Sequence, residues 1–117
     1  MPTLKDLAEH DFLPFVRSTF TAKIGTQKYY EYGIKVLLSF EKLAGARLDS
    51  ITTETIGAFV AVRMGAGVQI SRVNRELQAL RRMFHLAQEW RKVEKAMPTV
   101  RMVPGENPSA RGPTSAF

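Results

Sequence analysis

The stretch ISRVNRELQALRRMFHLAQEW, residues 70–90, decides how the rest of the chain is read. Val73, Leu77, Leu80, Phe84 and Ala87 recur at alternating four- and three-residue steps, and Met83, Leu86 and Trp90 widen the same side. That spacing predicts a long amphipathic helix with one buried face. Ser71 is placed to cap its start. At about 100° per residue the opposite side collects Ser71, Asn74, Arg75, Gln78, Arg81, Arg82 and His85 in an arc of roughly 120°. The first acid on that arc is Glu89, near its far end. Solvated faces usually mix their signs, whereas this one is suited to an anion. Arginine forks match phosphate oxygens or the guanine edge, Asn and Gln can pair with adenine, and a serine-capped helix start favours a phosphate. The same face could also be plain solvent-exposed surface, or meet an acidic protein. His85 reads as surface decoration or a histidine at the edge of the core, with no second His near it for a metal.

Working outward, Thr52 or Thr53 caps a preceding helix in which Ile56, Phe59, Val60 and Met64 point inward, closed by the glycines of GAGVQ. Before it, a helix over 26–43 carries Tyr29, Tyr30, Gly33, Val36, Leu37, Phe40 and Leu43 on one side, and Gly45 ends it. Lys28, Lys35 and Lys42 recur every seven residues on its other side, as a solubility device or as a line of positive charge. The first helix starts at Thr3 and buries Leu4, Leu7 and Ala8, then Phe12, Phe15, Val16 and Phe20. Pro14 either kinks it or opens a new helix capped by Asp11. Beyond residue 92 the periodicity stops, and 93–117 reads as a Pro- and Gly-rich linker with a short extended piece at 100–103. The expected fold is all-α, a four-helix bundle over residues 1–92 followed by an irregular tail.

Composition narrows the function. The 117 residues are 44% hydrophobic, one domain's worth, and 17 Lys and Arg against 11 Asp and Glu give a net charge of +6. A pI near 10.0 points to polyanions such as nucleic acid or an acidic membrane surface. The absence of cysteine excludes disulfides and thiolate metal sites. The N-terminus has no secretory pattern and no segment approaches a membrane span, so a cytoplasmic protein is expected. No nucleotide-binding, metalloprotease or nucleophile-elbow motif occurs. Neither enzymatic activity in this chain nor a cofactor or metal is expected.

LDSITTETIGAFVAVRM followed by VQISRVNRELQALRRMFHLAQEW resembles the N-terminal core-binding, SAM-like domain of tyrosine recombinases of the phage integrase family. The resemblance rests on Leu48, Ile51 and Thr52 before the third helix. On the fourth it rests on Ser71, Asn74, Arg75, Leu77, Leu80, Arg81, Phe84 and Ala87, with Thr26 and Tyr30 matching the second. It extends over residues 3–107, and ARGPTSAF at the end departs from the family.

The resemblance implies an orthogonal four-helix domain that clasps a recombination site through helices two and four in the major groove. A separate catalytic domain of the same protein would cut and rejoin the strands. Its partners would be double-stranded DNA, that catalytic domain and other recombinase protomers. Tyr29, Tyr30 and Tyr32 lie too early to be the strand-cleaving tyrosine. The DNA-contact candidates are Lys28, Lys35, Ser71, Asn74, Arg75, Gln78 and Arg82. The competing readings are a helical protein-interaction module with a basic surface and a free-standing helix-turn-helix regulator, the latter drawn from the short GAGVQ turn.

Overall fold

The structure, a computed structural model, describes residues 1–105. Its N-terminal helix begins with a reciprocal cap. The Asp6 N–H donates to the Thr3 hydroxyl at 3.1 Å and the Thr3 N–H donates to the Asp6 carboxylate at 3.2 Å. The Thr3 N–H, followed by the hydroxyl, holds the Asp6 carboxyl below its usual 3.8. From α1 (Leu4–Asp6) the chain passes through a π-helical stretch, Leu7–Phe12, into α2 (Leu13–Thr19). The wide turn answers Pro14, which lacks an N–H and would crowd the carbonyl four residues back in a regular helix. Leu13 instead reaches five residues back to Ala8, and Pro14 falls in the first turn of α2. Asp11 caps nothing; its carboxylate lies 3.6 Å from the Lys92 ammonium.

α3 (Ile24–Leu38) stops five residues before the expected end at Leu43. The Ser39 hydroxyl donates to the Val36 carbonyl at 2.5 Å, and Phe40 turns extended so that its ring meets Phe59 edge-on at 5.8 Å. A second short helix, α4 (Glu41–Ala44), therefore carries Lys42 off the line of Lys28 and Lys35. Backbone bonds from Leu4 to Ala46 and from Leu48 to Pro2 stitch the N-terminus to the following loop. After a 3₁₀ turn, Leu48–Ser50, the Thr52 hydroxyl accepts the Thr55 N–H at 3.3 Å and starts α5 (Thr53–Gly65) as the sequence predicts. Ile56 and Phe59 face inward, but Val60 is half-buried and Met64 is exposed.

α6 (Ile70–Glu89) begins two residues earlier than a helix capped by Ser71 would. Gln69 is the cap residue and makes no side-chain bond, and Ser71 lies within the first turn. Val73, Leu77, Leu80, Met83, Phe84, Leu86 and Ala87 are buried as expected, with α3 packed alongside. A Cβ at Gly33 would stand only 3.2 Å from that of Ala79. The glycine thus lets α3 and α6 approach more closely than they could around a Cβ without a small shift.

α6 ends in a reversal. The Lys92 N–H reaches the Ala87 carbonyl and the Arg91 N–H that of Gln88, with Arg91 itself left-handed at φ 59°. A left-handed residue with a Cβ is strained by about 1–2 kcal/mol. Arg91→Gly is therefore expected to stabilise the fold by about 1 kcal/mol, read as a higher midpoint in urea unfolding at constant slope.

The reversal sends residues 93–103 back over the helices. The segment expected to be a linker packs on the bundle, and Val93 and Val100 belong to the core at 4% and 2% exposure. The end of the chain, with ARGPTSAF, lies outside the described residues. Among the described residues there is no strand, and no helix is long and apolar enough to cross a membrane.

Candidate nucleic-acid interface

The arc that looked continuous on α6 divides lengthwise into two strips. One edge is covered. The Asn74 carboxamide is 5% exposed, accepting the Val103 N–H at 2.7 Å and donating to the Val103 carbonyl at 3.2 Å. Arg81 donates to the Val100 carbonyl at 2.7 Å, and the Gln88 side-chain carbonyl accepts the Met97 N–H at 2.8 Å. Asn74 therefore faces the returning chain rather than solvent, and its donor–acceptor pair is already engaged. A base edge would require that same pair.

The other edge is open. Arg75, Gln78 and Arg82 are exposed, and Ser71 is half-buried at its start. The strip is built by contacts with the neighbouring helices. Tyr29 of α3 donates its hydroxyl to the Gln78 side-chain carbonyl at 3.1 Å and lies 3.4 Å from the Arg75 carbonyl. Burial pushes the Tyr29 phenol above its usual 10.0, Tyr30 adds to the shift and Arg75 opposes it, so the hydroxyl is a donor at neutral pH. The Arg82 guanidinium sits 6.0 Å from the centre of the Phe15 ring, and Arg72 lies 5.5 Å from that of Tyr32. Tyr29, Tyr32, Gly33, Arg72, Arg75 and Glu76 line a cleft of about 160 Å³ between the two helices.

Lys28 and Lys35 are exposed on α3, on the side turned away from its buried Ile34 and Leu37. They put two further positive charges on the solvent side of α3. Among the described residues neither Arg75 nor Arg82 forms an ion pair, while Glu31 is engaged by Arg17 at 3.4 Å. No protein-family model, curated protein or solved structure matches the chain.

One functional element was missed in the sequence. Glu76 is 1% exposed and takes a two-pronged contact from Arg63 of α5, at 2.9 Å and 2.6 Å. The carboxylate, through its hydrogen bonds, holds the guanidinium above its usual value. The signal was present, because Glu76 falls on the apolar side of α6 between Val73 and Leu80, and Arg63 is the one charged residue between Glu54 and Arg72. An acid inside a core face demands a cation. The pair also removes the only negative side chain lining the cleft from the field seen by an incoming anion. Among the described residues no group of His, Asp or Glu could hold a metal ion.

Proposed function

We propose that this chain is the DNA-clasping helical domain of a tyrosine recombinase, an orthogonal four-helix, SAM-like bundle that lays the α3–α6 side against a duplex. The strand-cleaving chemistry would belong to a catalytic domain of the same protein. The observation that carries this reading is the acid-free strip of Arg75, Gln78 and Arg82, exposed and, among the described residues, free of ion pairs; Lys28 and Lys35 add exposed positive charge on α3. The sequence resemblance around α5 and α6 supports it independently. Relative to the sequence-based candidates, Asn74 leaves the contact set because Val103 occupies it, and Ser71 loses its role as a cap. Phosphate contacts by Arg75, Arg82 and the two lysines would set the register, and Gln78 would reach a base edge.

A second reading, a module for protein contacts, is favoured by the outer side of α5. Gly57, Ala61, Val62, Met64 and Gly65 are exposed there, with Val62 at 56%, and Glu54 in the first turn is the charge on that side. The two readings are compatible if other protomers on DNA meet that helix.

The test is a titration of the chain with random duplex and with poly-glutamate of matched charge, at two salt concentrations. Tighter binding to duplex, with a log–log salt slope of several units, is the expected result. Equal affinity for the two polyanions would transfer the reading to a protein-binding module. Selection from randomised duplexes should then enrich inverted half-sites.

A further inference from the structure

The covered edge of α6 has a regularity that the DNA reading does not use. Asn74, Arg81 and Gln88 stand seven residues apart, and their partners Val103, Val100 and Met97 stand three apart, running in the opposite direction. Seven helical residues rise about 10.5 Å, and three extended residues span about 10 Å. The two lengths coincide, so the three side chains can each meet the backbone of the segment at every third residue. Each of these hydrogen bonds is made to a main-chain N–H or carbonyl of the segment. Val100 is buried and Met97, Met102 and Val103 are half-buried against the core, whereas Thr99 and Arg101 are exposed.

We propose that Asn74, Arg81 and Gln88 form a main-chain clasp, a site on α6 for one extended segment read by its backbone in a single register. Residues 97–103 are its resident occupant and dock or leave as one unit while the helices stay folded. The clasp delivers the chain to the start of α6, where the turn at Gly105, φ 99°, lies against Ile70. This placement does not depend on DNA being the ligand.

Amide hydrogen exchange on the chain without DNA tests it. The Met97 and Val103 amides should exchange slowly, at a rate common to both and faster than that of the α6 core amides such as Leu80. Gln88→Ala, at an exposed position, should accelerate both by a similar factor of about ten, although Val103 is at the far end of the segment. Arg81→Met, which keeps the apolar stem, should do the same. Replacing the outward residues Thr99 and Arg101 with Ala should leave both rates unchanged. Acceleration of Met97 alone would overturn the proposal by showing independent contacts. Equal acceleration throughout α3 and α6 would overturn it by showing that the segment does not open separately.

Discussion

Arg63→Ala is expected to destabilise the fold by about 3–5 kcal/mol, the cost of leaving a buried carboxylate without its partner. Glu76 is 1% exposed and sits in the apolar side of α6, whereas the Arg63 side chain keeps 22% of its surface in solvent. The two truncations should therefore be unequal. Removing Glu76 leaves a guanidinium that can turn outward to water, so Glu76→Ala is expected to cost less than Arg63→Ala. Replacing both together, Arg63→Met with Glu76→Leu, removes both charges and fills the space with apolar atoms, and should restore parental stability or exceed it. Urea unfolding of the three variants measures this, with the denaturant slope as a check that the unfolded state is unchanged. An Arg63→Ala loss below about 1 kcal/mol would mean that the pair contributes no more than an exposed salt bridge.

Arg75→Ala combined with Arg82→Ala is expected to weaken duplex binding by about 1–3 kcal/mol for each arginine and to lower the salt slope by about two. Both guanidiniums lie on the open edge of α6, and the one core contact between them is that of Arg82 with the Phe15 ring at 6.0 Å, so the melting temperature should fall only slightly. Arg81→Ala provides the sharper comparison. It removes the same charge from the neighbouring position, but that guanidinium is committed to the Val100 carbonyl at 2.7 Å. Arg81→Ala should therefore affect duplex affinity much less than Arg82→Ala while loosening residues 97–103. Equal losses from the two would mean that net charge, and not the geometry of the strip, governs binding. An unchanged affinity in the double variant would remove DNA from the reading of this face.

The candidate surface was half legible in the sequence. Helical periodicity sorted α6 into a core side and a polar side correctly, and the exposed positions of Arg75, Gln78 and Arg82 follow from that sorting alone. The polar side was then treated as one face because angular position on a helix says whether a residue points away from the core, not what else covers it. Asn74 and Arg81 point away from the apolar stripe, yet Asn74 is buried against Val103 and the exposed Arg81 is bonded to the Val100 carbonyl. The break at Ser39 was hidden for a related reason. Nothing local forbids a helix through Ser39 and Phe40, and the contact that holds Phe40 extended is with Phe59 of α5. Pro14 was easier to recognise as a disturbance than to resolve, since the π-helical turn is one of several backbone answers to a missing N–H.

Local chemistry by itself determined the all-helical class, the Thr3 and Thr52 caps, the apolar stripe of α6 and the net positive charge, because each depends on residues within a few positions of one another. Tertiary structure alone decided which polar groups remain open to a partner. That choice depends on the turn at Arg91, which brings back a segment 29 residues along the chain from Asn74 and spends its hydrogen bonds on a backbone that no helical wheel contains.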